Sequence, residues 1–86
     1  MEAAYEPAGV PLEDIGEGAV TRVVGFTCGR SLKQRLASLG IRMGTEVGVI
    51  QRTGGGRAVL GIGFGHLAAG TDVMRSILVV PVRPDE

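Results

Sequence analysis

The sequence has few of the residue types that usually form catalytic, metal-binding or ligand-binding sites. Its 86 residues include one cysteine, one histidine, no tryptophan and three other aromatic residues. A single cysteine excludes an internal disulfide framework and a cysteine-rich zinc site, and it fits a reducing compartment best. No stretch approaches the ~20 apolar residues of a membrane-spanning helix, and the N-terminus does not resemble a secretory signal. We therefore expect a cytoplasmic chain with no membrane-inserted segment.

The shortage of ionisable partners argues against an enzyme and against a metal centre. Cys28 and His66 are the only thiol and the only imidazole, and they lie far apart in the sequence. A ferrous or zinc site needs three or more converging imidazole, thiolate or carboxylate ligands. We predict no catalytic residues, no resident metal and no cofactor. Cys28 is either a reactive thiol near Arg30 or a buried inert one, and His66 is expected to have a structural or surface role.

Charge is balanced overall but unevenly distributed along the chain. Residues 1–18 carry five acids and no lysine or arginine, whereas residues 22–57 carry seven basic groups against the single acid Glu46. This asymmetry indicates a basic face, although ordinary solvated surface charge is the simpler explanation. Proteins that bind single-stranded nucleic acid stack bases on aromatic side chains, which are scarce here. We therefore expect no nucleic-acid partner.

Short β-branched runs and fifteen glycines predict a small β-rich domain. We predict strands over 19–26, 45–53, 57–64, 66–69 and 77–80, with a glycine hairpin at 54–56. Thr71 is expected to cap a single helical turn, and the outward glycines of the third strand indicate strong coiling. These elements suggest a strongly bent, partly open barrel. We expect residues 1–10 to form a flexible acidic arm and residues 11–83 to form the domain.

One segment, residues 31–40, has clear helical periodicity. Its apolar stripe consists of Leu32, Leu36 and Leu39. Ser31 and Gln34 have the spacing of a capping box at the helix start. Gly40 is placed to end the helix in a left-handed conformation, with Ile41 packing back on Leu36. Because so short a helix is marginal in water, we expect the leucines to hold it against the barrel.

The run from Gly25 to Val47 closely resembles the FeoA family, small cytosolic proteins of bacterial ferrous-iron transport. The matching positions are Gly25, Phe26, Gly29, Leu32, Gln34, Arg35, Leu36, Leu39, Gly40, Gly44, Thr45 and Val47. The resemblance extends from about Leu12 to Val82, and Met43 stands where the family usually has proline. It implies a mainly β, SH3-like barrel of about five strands, with one short α-helix inserted after the first strand.

The resemblance also implies an accessory protein that contacts FeoB, the membrane ferrous-iron transporter whose cytosolic part hydrolyses GTP. From the residues we add the hypothesis that the partner-binding surface comprises Arg30, Lys33, Arg42 and Met43, and that Arg35 instead braces the barrel through hydrogen bonds. Solvated charges are the alternative interpretation of this group. For the function, the alternatives are an autonomous transition-metal-binding protein and a stand-alone module of an iron-responsive regulator. Self-association is left open.

Overall fold

A computed structural model describes residues 9–63 and 65–82. Its strands are β1 (Val10–Pro11), β2 (Val20–Phe26), β3 (Glu46–Gly54), β4 (Arg57–Ile62), β5 (Gly65–Ala69) and β6 (Ile77–Pro81). The helices are α1 (Arg30–Ser38) and α2 (Thr71–Ser76), and a single 3₁₀ turn covers Leu12–Asp14. Across these residues the strands form one antiparallel sheet in the order β1-β6-β2-β3-β4-β5. The predicted mainly β, SH3-like fold, with α1 inserted after the first long strand, is confirmed.

The sequence did not predict β1, which raises the strand number from about five to six. Val10 pairs with Val79 and Pro11 with Leu78, so the sheet begins within the segment that we expected to be a flexible arm. Two residues are too few to show a strand periodicity, which explains the omission. The remainder of that arm, residues 1–8, lies outside the described residues, as does Phe64.

Two kinds of irregularity curl the sheet. The register of β2 against β6 shifts between Val23 and Gly25, and such a bulge bends the strand. The β3–β4 hairpin turns through three glycines that all have positive φ, at 97°, 63° and 80° for residues 54–56. Glycine adopts this backbone conformation without steric penalty, so the turn is tight. The result is the partly open barrel that the short strands predicted.

The interior of the barrel is aliphatic. Its buried hydrophobic residues are Leu12, Ile15, Val23, Leu36, Ile41, Val47, Val49, Ala58, Leu60, Ala69, Met74, Ile77 and Val79. Alternate residues of β3 and β4 point into this core, as expected for strands with one buried face. Thr21 is the buried polar residue of the described chain, and its hydroxyl donates a 2.8 Å hydrogen bond to the Val47 carbonyl. That bond removes the cost of burying the hydroxyl.

The start of α1 differs from the sequence prediction. The helix begins at Arg30 with Gly29 as its N-cap, and no side chain caps it. The predicted capping box is therefore wrong, because Ser31 is already the second helical residue. Thr71 is likewise inside α2 rather than at its cap, and its hydroxyl donates to the Gly55 carbonyl at 3.2 Å. This bond ties α2 to the β3–β4 hairpin.

The end of α1 follows the prediction. Gly40 has a φ of 95°, and its N–H donates to the Ala37 carbonyl at 3.0 Å. The Ile41 N–H reaches back to the Leu36 carbonyl at 2.8 Å, which completes a Schellman motif. The helix therefore stops at a defined residue, and the buried Ile41 side chain anchors the chain that leaves it.

The apolar stripe of α1 is narrower than predicted. Leu36 is 1% exposed and Leu32 is half-buried, but Leu39 is 50% exposed. The prediction that all three leucines clamp the helix is therefore wrong for Leu39. Leu39 is the C-cap residue, where the backbone already departs from helical geometry, so its side chain no longer follows the stripe.

Candidate partner-binding cleft

A small hollow lies between α1 and the loop that follows it. Its volume is about 280 Å³, and it is lined by Phe26, Lys33, Ala37, Ile41, Arg42 and Met43. We call it the α1 cleft. Phe26 ends β2, Lys33 and Ala37 are one helical turn apart on α1, and residues 41–43 belong to the loop before β3. Residues four apart on a helix share one face, which places Lys33 beside Ala37.

The loop that carries Arg42 and Met43 is held by backbone hydrogen bonds. Gly44 has a φ of 87°, and its N–H donates to the Val23 carbonyl of β2 at 2.9 Å. The Arg42 N–H donates to Thr45 Oγ1 at 2.9 Å, and that hydroxyl lies 3.3 Å from the Gly40 carbonyl. Because the loop is ordered by these bonds, little backbone entropy remains to be lost when a partner binds.

The cleft combines an apolar floor with a protruding apolar side chain. Ile41 is buried, and Phe26 and Ala37 are half-buried. Met43 is 61% exposed, the largest exposure of any large hydrophobic residue in the described chain. An unbranched thioether side chain adapts to irregular surfaces, which suits it to a contact with another protein.

The charge at the cleft is positive. The Lys33 ammonium lies 5.7 Å from the centroid of the Phe26 ring, a cation–π contact worth about 0.5–1 kcal/mol at an exposed site. Arg42 and Lys33 are exposed, and no acidic residue lines the cleft. Within residues 9–63 and 65–82 the ion pairs are Arg22–Glu46 and Arg75–Glu13, neither of which involves the cleft.

The structure brings together three of the four residues proposed from the sequence. Lys33, Arg42 and Met43 line the cleft, whereas Arg30 is exposed in the first turn of α1 and does not. The Arg35 side chain is exposed and donates no hydrogen bond to any described residue, so the structure does not support the bracing role. Sequence reasoning missed Ala37, although its spacing of four from Lys33 could have identified it.

The family of the chain follows from a comparison with family sequence models. The FeoA domain matches residues 10–81, which is most of the chain. The chain belongs to the FeoA family. This family is linked to iron uptake. A comparison with curated protein sequences finds no match.

Solved structures share the fold of this FeoA-family chain. An iron uptake regulatory protein, FeoA, is 26% identical, with a TM-score of 0.76 over 85% of this chain and 96% of its own. An FeoA-like protein from Clostridium acetobutylicum is 18% identical, with a TM-score of 0.80 over 94% and 95%. The metal-dependent transcriptional regulator MtsR is 18% identical, with a TM-score of 0.79 over 91% of this chain and 39% of its own. At the last two identities the likeness concerns the fold alone.

The remaining residues whose side chains could act in catalysis or bind a metal are dispersed in this FeoA-family structure. Cys28 is half-buried and packs against the core, and His66 is exposed on β5. The described part of the chain contains no cluster of three or more His, Cys, Asp or Glu side chains placed to hold a metal ion. Within the same residues, neither helix has the length and apolar character that crossing a membrane requires.

Proposed function

We propose that the chain is a small, non-catalytic accessory protein of bacterial ferrous-iron uptake, which acts in the cytoplasm by binding the membrane transporter FeoB. The observation that carries this proposal is the α1 cleft, in which Lys33 and Arg42 flank an apolar floor in a chain of the FeoA family. Such a surface is suited to a protein partner and has no groups arranged for catalysis.

The chemistry of the cleft defines the surface that it fits. Met43 and the floor would cover an apolar side chain of the partner, and the two cations would lie beside carboxylates at the edge of the contact. Exposed charges of this kind accelerate association and select the partner more than they add affinity. A matching FeoB surface would therefore present an apolar residue among acidic ones.

A second candidate is a stand-alone module of an iron-responsive regulator, which the structural likeness to MtsR favours. In that case the partner would be a DNA-binding protein rather than a transporter, and the chain itself would not bind nucleic acid. An autonomous metal-binding protein would need ligands that the described residues do not bring together. These candidates differ in what the purified chain binds.

Binding of the chain to the purified GTP-binding cytosolic part of FeoB tests the proposal. We expect saturable binding that weakens as salt is raised from low to physiological concentration, because exposed charges are screened over about 8–10 Å. Bovine serum albumin serves as an acidic control protein that should not bind. Absence of binding to both the cytosolic part and the intact transporter would refute the proposal, and stoichiometric iron in the chain alone would favour the metal-binding alternative.

A further inference from the structure

A second and larger hollow lies on the outer face of the sheet, with a volume of about 820 Å³. Its floor follows one row of paired residues across four strands: Val20, Gly48, Gly61 and His66. Its apolar walls are formed by Leu39, Ile50 and Ile62. We call this hollow the glycine trough. Of the two glycines in the middle of the row, Gly48 leaves a gap beside Val20, whereas the Ile50 side chain covers Gly61.

The two glycines differ in what the fold requires of them. A Cβ on Gly61 would lie 2.9 Å from Ile50 Cδ1, so the Ile50 side chain already occupies that space. The close approach of the Ile50 side chain is therefore one reason for a glycine at this position. A Cβ on Gly48 would meet only the Ala19 carbonyl, at 3.8 Å, and Gly48 does not have positive φ. Since glycine inside a strand costs roughly 0.5–1 kcal/mol, its effect here is to keep the trough open at the expense of stability.

The trough gathers most of the exposed large hydrophobic residues of the described chain. Three of the five exposed large hydrophobic residues of the described chain line it: Val20, Leu39 and Ile50. Its charged rim residue is Glu46, whose Oε2 accepts from Arg22 Nη2 at 3.1 Å. Oε1 has no partner among the described residues, which leaves one acceptor for an incoming cation. Contiguous exposed apolar surface with a polar rim is typical of protein contact sites.

The chain itself carries a group of complementary shape and charge. Met43 is the most exposed large hydrophobic residue, and the exposed guanidinium of Arg42 is next to it. A flexible methionine fits an irregular apolar gap, and Arg42 would reach the free oxygen of Glu46. Met43 and Glu46 are three residues apart, so their Cα atoms are separated by at most about 11 Å. Met43 and the rim of the trough therefore lie on neighbouring parts of one surface, as a two-fold interface between copies requires.

We propose that the chain forms a two-fold homodimer, in which Met43 of each copy occupies the glycine trough of the other and Arg42 lies beside Glu46. Such an interface is isologous, so each copy supplies one insertion and accepts one, and the assembly closes at two. The dimer does not depend on the proposed transporter contact. One consequence of the dimer does rest on that proposed contact. Because Met43 and Arg42 also line the α1 cleft, dimerisation would prevent the transporter from binding there.

Sedimentation equilibrium of the full chain from micromolar to millimolar concentration tests the dimer. We expect an average mass that rises with concentration toward the dimer. Gly48→Val fills the trough and Met43→Glu removes the insertion, and each should raise the dissociation constant at least about tenfold, or 1.4 kcal/mol. Val10→Ala is the matched control, because it shortens an exposed hydrophobic residue that does not line the trough. Its dimerisation should equal that of the unmodified chain.

A mixture of the two variants tests the reciprocal geometry. Gly48→Val retains the methionine and Met43→Glu retains the open trough, so one insertion can form between them, and the mixture should associate more than either alone. The proposal fails if the unmodified chain is a monomer at millimolar concentration, if folded Gly48→Val and Met43→Glu both dimerise normally, or if mixing adds no association. Thermal unfolding shows which variants are folded, and Met43→Glu, at an exposed position, decides the matter should Gly48→Val not fold.

Discussion

Replacing Leu36 by alanine should lower the free energy of unfolding by about 2–5 kcal/mol. Leu36 is the leucine of α1 that is 1% exposed, and its removal leaves a cavity where the helix meets the barrel. A small domain is stable by only about 5–15 kcal/mol, so this loss is a large fraction of the total. Urea unfolding followed by far-UV circular dichroism measures it, with a decreased midpoint at unchanged slope.

Leu39→Ala is the matched control for this substitution. It removes the same atoms at the C-cap of α1, but Leu39 is half exposed and lines the glycine trough rather than the core. Its effect on the free energy of unfolding should be below about 1 kcal/mol, as for other surface changes. Equal costs at the two positions would contradict the placement of α1, because they would mean that both leucines face the interior.

Reversing the charges of the α1 cleft should weaken the transporter contact. Lys33→Glu and Arg42→Glu each replace a cation that flanks the apolar floor with an anion. Against an acidic partner surface, we expect the two changes together to lower affinity at least about tenfold, which is 1.4 kcal/mol. The loss should be mainly in the association rate and should shrink at high salt, because exposed charges steer the encounter. Stopped-flow or surface plasmon resonance measurements give both rates.

Arg57→Glu is the matched control for charge. It makes the same change at an exposed arginine of β4 that does not line the cleft. Because any basic residue contributes to the overall field, Arg57→Glu should change the affinity only slightly. If Arg57→Glu weakens binding as much as Arg42→Glu does, the contact depends on net charge rather than on the cleft, and the proposed site is wrong.

The fold was largely predictable because several local signals agreed. Strand alternation in 57–62, the glycine hairpin and the Gly40 helix end all appear in the structure where the sequence placed them. The predictions that failed each depended on the conformation at a single position. The N-cap of α1 lies at Gly29, two residues before the predicted Ser31, which removed the capping box, and the departure from helical geometry at Leu39 turned its side chain out of the stripe. Hydrophobic periodicity could not have shown either change, because it does not locate the ends of a helix to the residue.

The cleft was only partly predictable for a different reason. Lys33, Arg42 and Met43 could be grouped because they surround one helix in sequence, and the structure places them around one hollow. Sequence proximity alone could not show that Arg30 lies outside that lining. The glycine trough depends on pairing between β2, β3, β4 and β5, so its row of residues is spread over residues 20–66 and appears only once the register is known.

Amide chemical shifts of the isotopically labelled chain, titrated with the cytosolic part of FeoB, show directly whether the partner binds at the α1 cleft. At micromolar chain concentration, we expect the largest shifts at the residues that line the cleft: Phe26, Lys33, Ala37 and residues 41–43. The same titration with Arg42→Glu should show smaller shifts at equal concentrations. Binding accompanied by shifts confined to β5 and the β3–β4 hairpin, with the cleft unaffected, would contradict the proposed site.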